Sequence, residues 1–193
     1  MSIDASIERL REQAAAEGLL DVAYTETDSP FGPLLLAATP KGLVRVGLPN
    51  QDAEALLEEL AAKVSPRVLE AAAPLDEVRR ELELYFEGKR ERFNLPLDWS
   101  LTGGFQGKVQ RQINRIPYGQ TRTYTEMARR AGNERAVRAA GTACGRNPLP
   151  VVVPCHRVLR SSGGLGGYLG GLPMKESLLA LEGAMALDER SQR

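Results

Sequence analysis

The chain holds one histidine, His156, and it stands directly beside Cys155, one of only two cysteines. A thiol is a strong nucleophile only as the thiolate, so a neighbouring base or positive potential is what makes it reactive. His156 and Arg157 offer both. The preceding Val151-Val152-Val153 reads as a short buried strand, ended by Pro154, which lacks an amide donor and holds Val153 extended. Cys155 is then expected at a strand end, facing a cleft. Adjacent strand side chains point to opposite faces, so His156 is expected to reach the sulfur through a bridging water. Downstream, residues 161 to 171 are too rich in glycine for a helix or a regular strand and suit a loop that closes over a ligand. On residue types alone, a structural cysteine beside a core histidine with a flexible linker after it stays open as the alternative.

The order of several motifs goes further. Pro154-Cys155-His156-Arg157-Val158, a loop ending Gly167-Tyr168-Leu169-Gly170-Gly171, and an upstream Arg146-Asn147-Pro148 resemble the O6-alkylguanine-DNA alkyltransferases, suicidal DNA-repair proteins. The resemblance runs from Phe105 to Gly183, and the preceding region resembles that family's N-terminal domain more loosely. It implies irreversible, stoichiometric transfer of an alkyl group from O6 of a flipped guanine to Cys155, with O4-alkylthymine as a second candidate substrate. It assigns His156 as the water-mediated base and Glu182 as the carboxylate that orients the imidazole. Asn147 would tie the DNA-binding helix to the active-site turn, Tyr124 would promote flipping, and Arg138 would fill the vacated stack. Pro154, Val158, Tyr168 and Leu169 would form the pocket and its lid. Two departures stand out. Leu169 occupies a position held in many relatives by Ser or Gly, and the zinc site of some relatives needs more Cys and His than this chain owns. No metal and no cofactor are expected.

The elements that must position these residues can be read from periodicity. Residues 1 to 18 read as an amphipathic helix, 20 to 48 as a small antiparallel meander, and 52 to 63 and 74 to 87 as helices. Glu81, Glu83 and Glu87 read as solvating charges rather than a metal site. Residues 94 to 103 hold no period and look like an interdomain connector. A helix from Phe105 to Ile116 ends at Pro117-Tyr118-Gly119. Thr123 and Glu126 form a capping box that starts a helix running to Ala131, and Asn133 is placed to cap a second helix from Glu134 to Gly145. Together these two make a helix-turn-helix. The second helix lacks Asn or Gln for adenine and presents small residues, which suits sequence-independent binding in the minor groove through Arg135, Arg138, Ala139, Ala140 and Thr142. The fold class is therefore α+β. A small N-terminal antiparallel sheet domain with helices (19 to 98, RNase H-like by resemblance) precedes a mostly helical C-terminal domain with the helix-turn-helix (104 to 183). An N-terminal extension (1 to 18) and a tail (184 to 193) flank them.

Net charge is zero over the chain, but it is unevenly placed. Residues 1 to 103 carry 11 Lys and Arg against 19 Asp and Glu (net −8), and residues 104 to 183 carry 12 against 4 (net +8). A basic half that coincides with the Cys-His motif points to double-stranded DNA as the partner. Two cysteines, no secretory segment and no long apolar run point to a reducing, cytoplasmic setting without a membrane partner, and a monomer is expected. Three other readings compete. They are an alkylation-damage sensor, which the presence of Cys155 opposes, a Cys-His hydrolase, and a helix-turn-helix regulator.

Overall fold

The computed structural model describes Arg9 and residues 20 to 184. The helix expected over 1 to 18 and the tail beyond 184 lie outside the described residues. Two compact units emerge, one formed by residues up to Glu83 plus Asn94–Leu101, the other by Leu84–Phe93 plus the chain from Thr102 onward.

In the first unit, β1 (Val22–Thr27), β2 (Leu34–Thr39), β3 (Gly42–Gly47) and β4 (Val68–Glu70) form one sheet in the order β3-β2-β1-β4. The first three strands pair antiparallel, but β4 lies parallel to β1, with Val22 opposite Val68. The sheet is therefore mixed, not antiparallel. A three-residue strand is too short to show a period, so β4 left no trace in the sequence pattern. Helix α1 (Ala53–Lys63) starts at Asp52, whose carboxylate accepts from the amides of Glu54 and Ala55. Its Leu60 packs with Val22, Ala37 and Val44 in the core.

Most of the expected connector, Asn94–Leu101, is part of this unit. The Leu43 amide donates to Pro96 O at 2.9 Å, the Asp98 amide to Leu43 O at 2.8 Å, and Thr39 Oγ1 to the Asp98 carboxylate at 2.6 Å. Gly42, at φ +129°, makes the approach possible, since a Cβ there would lie 2.2 Å from Pro96 O. Backbone pairing of this kind needs no side-chain period, which is why the segment read as irregular. Glu81 is also corrected. It is buried and accepts from the Asn94 amide at 2.9 Å, so it is not a solvating charge.

Helix α2 (Asp76–Phe86) follows a 3-10 turn at Ala73–Leu75, and its last turn groups with the second unit. That unit then contains α3 (Gly104–Ile113), β5 (Arg122–Thr123), α4 (Tyr124–Arg130), α5 (Val137–Gly145), β6 (Val158–Leu159) and α6 (Leu172–Leu181). The capping box of α4 is complete: the Glu126 amide donates to Thr123 Oγ1 at 3.2 Å and the Thr123 amide to Glu126 Oε2 at 2.7 Å. Helix α5 starts later than expected. No side chain caps it, and the Ala136 amide bonds the Asn133 carbonyl at 3.1 Å, which turns Glu134 and Arg135 out of the helix. The buried Gln110 amide on α3 donates to Ala143 O at 3.1 Å and Arg146 O at 3.2 Å, satisfying the carbonyls at the C-terminal end of α5. Among the described residues, no helix is long and apolar enough to cross a membrane.

Candidate active site

The three valines before the Cys-His pair are not a strand. Val151 sits at φ 71°, a conformation that a β-branched residue adopts only under constraint, and Val153 N–H turns back to Leu149 O at 2.7 Å. Pro148, Pro150 and Pro154 remove the amides a ladder would use, and Asn147 supplies the missing bonds. Its Nδ2 donates to Val153 O at 2.8 Å, while its Oδ1 accepts from the Leu149 amide at 3.1 Å. Strand β6 comes after the chemistry, so Cys155 is delivered at the start of a 3-10 turn, Cys155–Arg157, rather than at a strand end.

Cys155 is buried, and Asn147 Nδ2 donates to its Sγ at 3.2 Å. Burial pushes the thiol up; the Asn147 bond, the Lys175 charge and the backbone amides of Cys155 and His156 oppose that shift. The turn thus rests as a neutral thiol while holding the donors a thiolate needs. His156 is fully buried beside it, and burial holds its imidazole below the ordinary value against the pull of Glu182. Nε2 lies 2.9 Å from Glu182 Oε1. Burial alone would raise the Glu182 carboxyl, but bonds from His156 and Arg157 outweigh it and bring it down to about 2. An ionised carboxylate can only accept, so Nε2 carries the proton and Nδ1 keeps the lone pair. Nδ1 is buried and bonds no atom among the described residues. The imidazole is oriented by its other nitrogen.

Glu182 meets more donors than the sequence suggested. Arg157 binds it through Nε and Nη2, each at 2.8 Å, and its Nη1 reaches Ile116 O. Tyr85 Oη donates at 2.6 Å and the Gly119 amide at 3.4 Å. Lys175, fully buried on α6, was also missed. Its ammonium donates to Val158 O at 2.6 Å, to Leu165 O, and to Gly167 O at 3.5 Å, tying the glycine loop to β6. Burial lowers it to about 8.

Cys155 opens on a cavity of about 520 Å³. Gly141, Cys144 and Gly145 of α5, Tyr124 of α4, and Arg160 with Gly166–Leu169 of the loop complete its lining. Tyr124 Oη lies 3.5 Å from Gly167 O, and burial pushes the phenol up to about 12, so it is a donor at neutral pH. Gly166, at φ +70°, leaves room for it: a Cβ there would lie 2.7 Å from that hydroxyl. Tyr168 has a shielded hydroxyl without a partner among the described residues.

The fold therefore brings Cys155, His156, Glu182 and Asn147 together and sets Tyr124, Tyr168 and Leu169 on one cavity. Pro154 and Val158 are buried but do not line it, and the Val158 carbonyl is taken by Lys175. On α5, Arg138, Ala139 and Thr142 are exposed, and Arg135 is exposed in the preceding turn. Ala140 is corrected. It is fully buried, one helical step from the exposed face, and cannot present itself to DNA. Tyr85 and Lys175 carried no motif, since each sits at an ordinary apolar position of a helix pattern.

The second helix of the helix-turn-helix thus lines the cavity on which a buried thiol opens, next in sequence to a histidine held by a buried carboxylate. Residues 22–99 match the 6-O-methylguanine DNA methyltransferase, ribonuclease-like domain, and residues 104–184 match the DNA binding domain of the same proteins. A methylated-DNA–protein-cysteine methyltransferase of Methanosarcina barkeri is 42% identical over 159 residues, 82% of this chain and 96% of the relative. The inducible one of Bacillus subtilis is 42% identical over 148 residues, 76% of this chain and 82% of the relative. The crystal structure of the Mycobacterium tuberculosis OGT in complex with DNA superposes with a TM-score of 0.73 at 36% identity, covering 84% of this chain and 93% of that one. The chain belongs to the 6-O-methylguanine DNA methyltransferase family.

Proposed function

We propose that this protein repairs O6-alkylguanine in DNA by moving the alkyl group onto Cys155, once per molecule. The observation that carries the reading is the buried Cys155 thiol, opening on a cavity between α5 and the glycine loop, with a neutral imidazole whose free nitrogen is set by an ionised carboxylate. The base must leave the duplex to reach such a site. With guanine in the cavity, Nδ1 of His156 takes the thiol proton through a water, a site for which buried polar partners are at hand. The sulfur attacks the alkyl carbon, an S–C bond forms, and the C–O6 bond breaks. Guanine leaves with the electron pair and regains a proton at N1, so the thiol proton is balanced. Tyr124, a donor facing the lid, helps the guanine ring accept that charge.

The product is a thioether, which water does not cleave, so turnover ends there. This separates the reading from a Cys-His hydrolase, whose thioester must turn over. Exposed Arg138, Ala139 and Thr142, joined by Arg135, form the face that enters the minor groove, with Arg138 filling the vacated stack. Binding is independent of sequence, salt-sensitive through the +8 segment, and monomeric, in a reducing cytoplasm. Incubation with excess O6-methylguanine duplex tests the reading. Transfer that stops at one methyl per protein supports it, and continued turnover overturns it.

A further inference from the structure

We propose that Tyr85 is a positioning residue for the alkyl transfer, its hydroxyl fixing the Glu182 oxygen that aims His156 at the thiol. The inference rests on reading Cys155, His156 and Glu182 as a proton relay.

Tyr85 donates to Oε1 of Glu182 at 2.6 Å, and this is the oxygen that meets His156 Nε2 at 2.9 Å. A carboxylate offers about four lone-pair sites. The Arg157 fork takes one on each oxygen, and the Gly119 amide approaches Oε2. What is left on Oε1 is shared by the imidazole and the phenol, so the phenol decides the direction in which Oε1 faces the ring. The direction matters because the bond at Nε2 sets where Nδ1 points. Both side chains are buried.

The ring is itself held. Tyr85 packs edge-on against Phe86 at 5.5 Å and Tyr118 at 6.3 Å, and tilted against Phe93 at 5.1 Å between centroids. Tyr118 lies under the Arg157 guanidinium at 5.8 Å, and its hydroxyl donates to Leu181 O at 2.9 Å, beside Glu182. The aromatic group thus supports the carboxylate from below and from its own helix. This also gives a role to Leu84–Phe93, the segment that groups with the second unit although the chain on both sides of it groups with the first.

Tyr85→Phe keeps the ring and removes only the oxygen. In the full-length protein, the second-order rate constant with O6-methylguanine duplex is expected to fall about tenfold, the scale of such supporting bonds. Affinity for the same duplex, measured in a Cys155→Ser background, is expected to stay unchanged. With one donor gone, Oε1 attracts the imidazolium more strongly, so the acid limb of the pH–rate profile moves to higher pH. In a His156→Ala background, Tyr85→Phe is expected to add no further loss. A full-size loss in that background, or a slower rate with an unmoved acid limb, makes Tyr85 merely structural and overturns the proposal. Wild-type rates in Tyr85→Phe overturn it too, while wild-type rates in His156→Ala remove the relay reading itself.

Discussion

Glu59 in the first unit and Glu182 in the second are both carboxylates held by an arginine and further donors, yet their settings differ. Glu59 meets Arg45 and Lys63 at 2.7 Å each with its side chain 30% exposed, whereas Glu182 is sealed from solvent. Water screens the first pair, and such pairs contribute roughly 0–1 kcal/mol. The second carboxylate sits where desolvation opposes the charge, so stability alone does not account for it. Placing an ion where it is costly, and filling its lone pairs with donors from three separate segments, makes sense when its orientation is what is needed.

The widest contrast is expected between Glu182→Gln and Glu59→Gln. The first leaves the Arg157 guanidinium buried without its counter-ion and frees the imidazole, costing about 3–5 kcal/mol of stability and slowing transfer on the order of 100-fold. The second is expected to change stability by less than about 1 kcal/mol and the rate not at all. Chemical denaturation and single-turnover kinetics measure both. The contrast extends to pH. Glu182 is depressed to about 2 from its ordinary 4.5, so the unfolded chain binds more protons between those values, and the stability it contributes above 4.5 is lost as pH falls toward 2. His156 is depressed too, so protonation of the unfolded chain begins to erode stability already below 6.5. Glu182→Gln is expected to flatten the lower part of this loss. An acid-unfolding curve of unchanged steepness would contradict the assignment.

What the sequence revealed follows from how local each signal was. The capping box of Thr123 and Glu126 spans three residues and was fully legible; so was the Cys155-His156 adjacency, as chemistry if not as geometry. The valine strand misleads because β-branching favours a strand, while Pro148 and Pro150 upstream, together with Pro154, deny it a ladder. Glu182 entered only through resemblance, being 26 residues from its histidine, and Tyr85, 97 residues from Glu182, had no local signal at all. An apolar face expects a tyrosine in the core, and only the tertiary fold shows what its hydroxyl meets.

Smaller effects sharpen the comparison between the exposed and buried faces of α5. Arg138→Ala is expected to slow reaction with duplex about tenfold and leave reaction with free O6-benzylguanine unchanged, because only the duplex has a stack to fill. Equal losses on both would mean that Arg138 supports the fold. The smallest effect belongs to Leu169, which lines the cavity from the loop. Leu169→Ala is expected to raise the benzyl-to-methyl ratio of rate constants severalfold, since a leucine side chain removed from an apolar wall leaves space a methyl group does not use. An unchanged ratio would retire Leu169 as a shape filter.

The central claim concerns one sulfur among two that share a cavity. Burial pushes the Cys144 thiol up as well, but the donors that favour a thiolate, Asn147 and the turn amides, face Cys155. Peptide mapping by mass after one reaction with O6-methylguanine duplex tests this most directly. A single methyl on the Cys155 peptide is the result predicted, and methyl on the Cys144 peptide, or on neither, would contradict it.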